Sequence, residues 1–174
     1  LDGYVSNTVT NNLAGNCKLE NDMLVVGDSS LYPGTEVVAS GSLDFATTDP
    51  KFQQLMAYQQ TNRVLQSVAV TGQLNSFSKL KIDSHCNSNG NAYYSPAEQM
   101  VCLGYVDVSS ERVWAADDAD VIMHEASHAV NHHLSSSSAM NSTGEAGAMD
   151  EAFADYWAHT NTGNTVLSEW FIAA

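Results

Sequence analysis

The chain has 174 residues, of which 44% are hydrophobic, and six Lys or Arg side chains against 20 Asp or Glu give it a formal net charge of −14. A chain this acidic is a poor partner for nucleic acid and for anionic membranes, and it contains no apolar run near the roughly 20 residues of a membrane span. Its length fits one domain, or one domain with part of another. No Lys or Arg follows Arg112, so the last part of the chain is strongly anionic and would attract cations, including metal ions.

The first 48 residues are rich in Asn, Ser, Thr and Gly, and short β-type runs at residues 23–26 and 36–39 predict strands. Asp49 and Pro50 then predict the start of a helix, because Asp is a favoured cap and Pro fits the first helical position. We expect this helix over about residues 50–71. Its buried stripe is expected to contain Phe52, Leu55, Met56, Val64, Leu65 and Val68.

Three further strands are predicted after this helix, at residues 79–82, 91–94 and 100–107. A polar loop, residues 85–90, precedes the second of them. We interpret His85 in this loop as an ordinary polar loop residue, because no CxxC pattern or second His lies nearby to form another metal site.

The three cysteines fit an exported protein with one disulfide and one spare thiol. Cys86 and Cys102 flank the predicted hairpin and are the preferred pair, which leaves Cys17 free or paired outside this chain. The alternative is three ordinary buried thiols. Because the chain starts at Leu1 without a signal-peptide pattern, we interpret it as the mature or processed part of a secreted protein.

The pattern H-E-x-x-H at residues 124–128 lies in a segment, residues 118–134, that predicts one helix. Residues four apart share a helix face, so His124 and His128 can hold one Zn²⁺ at about 2.0–2.1 Å. Glu125 lies beside the metal without binding it, where a carboxylate can take a proton from an activated water. The pattern is typical of zinc hydrolases, but five residues alone also occur on helices that bind no metal.

A second helical pattern, residues 147–157, follows a loop at residues 135–144. Glu151 and Asp155 are four residues apart on it, so both carboxylates share one face. A catalytic zinc site needs a third protein ligand and an acceptor for the free N–H of a ligand imidazole, and these two residues supply both. A solvated polar face does not explain His, His, Glu and Asp in these positions on two helices.

These elements predict an α+β fold. Residues 1–117 are expected to form an antiparallel, β-rich N-terminal lobe with the one long helix, packed on the zinc-bearing helix. Residues 118–174 are expected to contain the active-site helices and the first part of a helical C-terminal lobe.

With these motifs the chain resembles the thermolysin-like and fungalysin-like zinc metalloendopeptidases, the gluzincins, over about residues 50–170. The resemblance is carried by the long helix after Pro50, Asn91-Ala92 before a strand, the segment D-V-I-M-H-E-A-S-H and residues 147–157. It implies hydrolysis of peptide bonds, with a peptide or protein substrate as the partner.

The resemblance also implies a role for each residue of the motif. His124, His128 and Glu151 correspond to the zinc ligands, Glu125 to the general base, and Asp155 to the residue that orients His124.

The implied substrate contacts lie elsewhere. Asn91 and Ala92 fall on the edge strand that hydrogen-bonds the substrate main chain. Tyr94 falls where the family often has an aromatic residue in the cleft, and Val121 on the wall of the pocket for the residue after the scissile bond.

Three departures from the family concern the metal centre. Asp150 replaces the family's asparagine before the glutamate ligand and adds charge near the zinc. No tyrosine stands between His128 and Glu151, where thermolysin has one that helps to hold the oxyanion. Asp120 matches one ligand of a family calcium site, but Thr162 replaces a second carboxylate, which argues against bound Ca²⁺.

A fourth departure concerns the helical lobe. The family's later histidine and its substrate-binding arginine belong to a lobe that would follow Ala174. His159 is too close to Glu151 to replace that histidine, and we interpret it as a surface residue. We therefore expect the lobe to be carried by a second chain, or to have been lost, or the chain to be a reduced variant.

Other interpretations remain open. A metzincin requires a third His at the sixth position after His128, but Leu134 stands there, so this class is rejected. A zinc site with Asp150 or Asp155 as the ligand is a weaker alternative. A different class of function is a catalytically weak or inactive fragment that zinc stabilises, acting as a binding module or as one chain of a nicked protease.

Overall fold

The computed structural model describes residues 18–28, 45–135 and 143–168. In chain order its elements are β1 (Leu24–Gly27), α1 (Pro50–Ala69), β2 (Leu80–Asp83), β3 (Ala92–Ser95), β4 (Met100–Leu103), β5 (Tyr105–Val108), β6 (Glu111–Trp114), a 3₁₀ turn (Ala115–Asp117), α2 (Ala119–Leu134) and α3 (Gly144–Thr162). The predicted α+β class is confirmed. The strand predicted at residues 36–39 lies outside the described residues.

Helix α1 begins as the sequence predicts. The Asp49 side chain accepts a hydrogen bond from the Lys51 backbone N–H at 2.9 Å, and Pro50 occupies the first turn. The helix ends at Ala69, shortly before Gly72, whose φ of +74° is a left-handed conformation that glycine adopts without steric cost. The predicted stripe is buried, with Phe52 partly buried against the same core.

The larger sheet is mixed, in the strand order β1-β2-β4-β3. Among its described strands, β3 and β4 pair antiparallel, whereas β1 with β2 and β2 with β4 pair parallel. The antiparallel pairing expected for this part of the chain is therefore wrong for two of the three ladders. For β1 and β2 the reason is that α1 lies between them in the chain, and a helical crossover returns the next strand in the same direction. Strands β2 and β4 are parallel because β3, which reverses the chain between them, pairs with β4 on its other side.

The strand predicted at residues 100–107 is divided at Gly104 into β4 and β5. A Cβ on Gly104 would overlap the carbonyl oxygens of Ser88 and Asn91, so only glycine lets this loop cross the chain so closely. Strand β5 pairs with β6 in a separate two-stranded sheet. No strand is predicted from the sequence at residues 111–114, where β6 lies.

A disulfide joins Cys86 to Cys102, with the Cα atoms 5.4 Å apart, so the preferred cysteine pairing is confirmed. Both cysteines are buried. The bridge connects the loop after β2 to the middle of β4. Strand β4 lies next to β3, the strand that approaches α2.

The core lies between α1, the larger sheet and α2. Ile122, Met123 and Val130 of α2 are buried in it, and Ala158 of α3 joins them. Within residues 18–28, 45–135 and 143–168, no helix has the length and apolar content that crossing a membrane requires.

Candidate metal centre

Helix α2 is fixed at its start by a side-chain cap. One carboxylate oxygen of Asp118 accepts hydrogen bonds from the backbone N–H groups of Asp120, at 3.0 Å, and Val121, at 3.3 Å. The apolar face of the helix is buried in the core. Because the helix is held on that side, His124 and His128 are presented together on the side that faces α3.

The structure brings His124, His128 and Glu151 together. The Nε2 atom of His124 lies 3.1 Å from Nε2 of His128 and 3.1 Å from Oε2 of Glu151, and Nε2 of His128 lies 3.6 Å from the same oxygen. Ligand atoms placed tetrahedrally at about 2.0–2.1 Å from an ion lie about 3.3 Å from one another. The three side chains therefore fit one metal ion, and within the described residues they are the only such group.

A carboxylate contacts the second nitrogen of each of these imidazoles. The Nδ1 atom of His124 lies 2.8 Å from Asp155 Oδ1, and Nδ1 of His128 lies 2.9 Å from Asp150 Oδ2. Asp150 is held in turn by the side-chain amide of Asn131, which donates to Oδ1 at 2.8 Å. With Nδ1–H donated to a carboxylate, Nε2 of each ring is left as the lone-pair atom that a metal needs.

The sequence identified Asp155 as such an acceptor but missed the equivalent contact of Asp150. The available signal was the pair His128 and Asn131, which share a face of α2 and can therefore meet one acidic residue of α3. From its residue type alone, Asp150 was expected to add negative charge near the zinc, and no hydrogen-bond partner was predicted for it.

Glu125 is buried beside the two imidazoles. Burial raises the pKa of its carboxyl, and Glu151 adds to the rise, whereas His124, His128 and the backbone N–H of Tyr94 lower it. The hydrogen bond from Tyr94 joins β3 to α2. A carboxylate held in this way can accept a proton and return it.

The predicted substrate contacts are placed as follows. Ala92 and Tyr94 lie on β3, which forms one edge of the four-stranded sheet, and Asn91 is exposed just before it. The Tyr94 ring meets the ring of His132 edge-on, with centroids 6.1 Å apart. Val121 is buried in the first turn of α2 and belongs to the core.

Asp120, at the position of the family's calcium ligand, makes a hydrogen bond to the segment that follows α3. Its Oδ2 accepts a hydrogen bond from the Asn164 side-chain amide at 3.1 Å, and Thr162 donates its hydroxyl to the Ala158 carbonyl. Oδ1 is buried without a hydrogen-bond partner among the described residues. Among the described residues, no group of three or more His, Cys, Asp or Glu side chains that could hold a metal ion contains Asp120.

No protein-family model matches the chain, and no curated protein matches it at a significant level. A function can therefore be inferred from the geometry and chemistry of the residues described above.

Proposed function

We propose that the chain is a secreted, zinc-dependent metalloendopeptidase of the thermolysin-like kind. The observation that carries the proposal is the triangle of His124, His128 and Glu151 with Glu125 beside it. Two imidazoles and one carboxylate form a ligand set of catalytic zinc sites, in which the fourth position is left for water or substrate.

The metal would supply one part of the chemistry: bound Zn²⁺ lowers the pKa of water and polarises a carbonyl group. Glu125 supplies the rest. Its carboxylate accepts the proton of the attacking water and then delivers it to the amide nitrogen of the leaving group, as a general base that becomes a general acid. The raised pKa suits the first step, because it increases the basicity of the carboxylate.

Asp155 and Asp150 orient the ligand rings. Each carboxylate fixes the Nδ1–H tautomer of one imidazole and so directs Nε2 of that ring into the site. The partner that suits this centre is an extended peptide, because the edge of β3 beside Glu125 can pair with a substrate main chain. The buried disulfide supports secretion, since such bonds persist in oxidising compartments.

The experiment compares the protein with Glu125→Gln for zinc content and for cleavage of a quenched fluorescent peptide library. We expect one zinc ion per chain in both proteins, cleavage by the unsubstituted protein that a zinc chelator abolishes, and a loss of about 10²–10⁴-fold in Glu125→Gln. Glu111→Gln, an exposed acid on β6, is the matched control. Full activity in Glu125→Gln, or a protein that holds iron and no zinc, would refute the proposal.

One observation favours a second candidate function, a zinc-stabilised binding module or one chain of a nicked protease. Met149, Phe153 and Tyr156 are exposed on α3, and such side chains on one helix suit contact with another protein. Zinc content without cleavage, together with a co-purifying second chain in intact-mass analysis, would favour this function over the first.

A further inference from the structure

The disulfide closes a covalent ring around the strand that the proposed function assigns to the substrate. Cys86 and Cys102 are 16 residues apart, and the segment between them contains Asn91 and all of β3. Strand β3 lies at the edge of the larger sheet, where β4 is its neighbour among the described strands. The backbone groups that are proposed to pair with a substrate main chain therefore lie inside this ring.

Strand β3 has little packing of its own to hold it in place. It is four residues long, and none of its side chains is fully buried. Elements that bury little apolar surface are the ones that open locally while the rest of a protein stays folded. The position of β3 therefore depends on its ladder with β4, on its contacts with α2 and on the closed ring.

The Cys86 end of the ring is anchored in the core by the residue that precedes it. His85 is fully buried, with Nδ1 against a carboxylate oxygen of Asp28 and Nε2 against the side-chain oxygen of Gln53. Its ring also meets the Trp114 ring edge-on, with centroids 4.6 Å apart. The interpretation of His85 as an ordinary polar loop residue is therefore wrong, and the disulfide joins the ring to a fixed point of the fold.

The Cys102 end of the ring lies in the ladder that holds β3. Cys102 is fully buried in β4, directly opposite Tyr93. The next rung pairs Val101 with Tyr94, whose backbone N–H donates to the Glu125 carboxylate. The bridge is therefore one rung away from the contact between β3 and the proposed general base.

The loop that enters β3 is held by backbone hydrogen bonds as well as by the bridge. The N–H of Cys86 donates to the Leu103 carbonyl at 3.2 Å, the N–H of Tyr105 to Ser88 at 2.9 Å, and the N–H of Gly90 to Tyr105 at 2.6 Å. Ser88 is half-buried and Gly90 is exposed. Hydrogen bonds in such a loop open and close locally, whereas the covalent bridge stays closed.

We propose that the Cys86–Cys102 disulfide is a positioning element for the substrate, which holds β3 in the conformation that an extended peptide can pair with. The inference rests on the proposed function, because that function assigns β3 to the substrate. With the bridge absent, β3 and its loop sample conformations that do not bind a peptide. The apparent affinity then falls with the fraction of binding-competent molecules.

Positioning differs from a general contribution to stability. A protein that is uniformly destabilised but still mostly folded binds its substrate as before, because its native state is unchanged. Loss of positioning changes the native state itself, and only at β3. The metal ligands His124, His128 and Glu151 lie outside the ring, so zinc affinity should not change.

The first test is amide hydrogen exchange of the zinc-loaded proteins under native conditions. The open-ring variant carries Cys86→Ala together with Cys102→Ala. The matched control is Leu24→Ala, which removes a fully buried side chain from β1, at the opposite edge of the sheet. We expect the amides of β3 to exchange about 10–100-fold faster in the open-ring variant, and at the original rate in Leu24→Ala. Unchanged exchange of β3 in the open-ring variant, or equal acceleration in the control, would overturn the proposal.

A second form of this test needs no substitution and applies if the open-ring variant does not fold. A phosphine reduces the bridge of the unsubstituted protein to two thiols and is itself oxidised to the phosphine oxide, with the oxygen supplied by water. Exchange at β3 should accelerate after reduction and slow again after reoxidation, at constant zinc content. Exchange that is the same in the reduced and oxidised proteins would overturn the proposal.

The third measurement is cleavage of an extended peptide. In the open-ring variant we expect KM to rise by about 3–10-fold, with kcat and zinc affinity within about twofold of the original values, whereas Leu24→Ala should keep its KM. Cleavage with an unchanged KM in the open-ring variant would overturn the positioning role. Absence of cleavage by the unsubstituted, zinc-loaded protein would instead refute the proposed function, and hydrogen exchange would then decide whether the bridge holds β3.

Discussion

Asp150 is expected to contribute more to metal affinity than Asp155, although each accepts a hydrogen bond from one ligand imidazole. The Asp155 side chain is 45% exposed, so water can replace its carboxylate when it is truncated. Asp150 is 21% exposed and also satisfies the amide of Asn131, which is 5% exposed. Loss of such contacts weakens metal binding by about 10–100-fold, and we place Asp155→Ala near the lower limit and Asp150→Ala near the upper.

Asp150→Ala should have a second effect that Asp155→Ala lacks. Truncation removes the carboxylate from the buried Asn131 amide, which keeps its bond to the backbone carbonyl of residue 150 at 3.2 Å. The free energy of unfolding of the metal-free protein should therefore fall by about 0.5–1.5 kcal/mol. Asp150→Asn keeps an acceptor for His128 and should stay within about tenfold of the original zinc affinity.

The assay is competition with a fluorescent zinc chelator at pH 7, combined with urea unfolding of the metal-free proteins. Asp107→Ala, whose carboxylate is exposed and paired with Arg112, is the control and should change neither measurement by more than the error. An equal or larger loss of zinc affinity in Asp155→Ala would refute the ranking, and unchanged affinity in Asp150→Ala would remove that residue from the metal centre.

The remaining predictions concern stability. Burial raises the pKa of Glu125 above its ordinary value of 4.5, so the protonated carboxyl stabilises the fold at low pH and this stability is lost as the pH rises through the folded pKa. Metal-free Glu125→Gln should therefore unfold at higher urea concentration than the unsubstituted protein at pH 7, and this difference should disappear below pH 4. A variant that is more stable only in acid would contradict the predicted direction. Replacing Cys86 and Cys102 together by Ala opens a bridge across a separation of 16 residues and should cost about 3 kcal/mol of unfolding free energy, while an unchanged urea midpoint would count against the bridge. Ile122→Ala should cost about 2–5 kcal/mol because its side chain is fully buried, compared by calorimetry with Val70→Ala at an exposed site, and equal melting temperatures would contradict the core assignment.

The features that could be predicted from the sequence depend on short-range geometry. The spacing of His124 and His128 needs only the helical period, and the cap at Asp49 needs only the preference of one residue type for a helix start. The α+β class follows in the same way, from local patterns. The expectation that Glu151 would meet the two histidines added a single packing step between neighbouring helices, which the structure also shows.

The features that were missed depend on long-range packing. The parallel pairing of β1 with β2 joins residues 56 positions apart, such as Leu24 and Leu80, and no local pattern encodes it. The burial of His85 is similar, because a polar loop gives no sign that Asp28 and Gln53 close over it. The hydrophobic pattern predicts which apolar residues form the core, whereas buried polar partners are determined by the tertiary fold.

Because two segments of the chain cross so closely at Gly104, this position is suited to a temperature-dependent variant. A methyl group there would have to displace the loop at Ser88 and Asn91, and Asn91 immediately precedes β3, whose Tyr94 backbone holds Glu125. Gly104→Ala should therefore force the backbone at Ser88 and Asn91 to move, and this displacement should reach Glu125 over several residues without removing any functional group. In random-mutagenesis libraries selected for function we expect this codon to remain unchanged, and at low temperature the alanine protein should recover part of its activity.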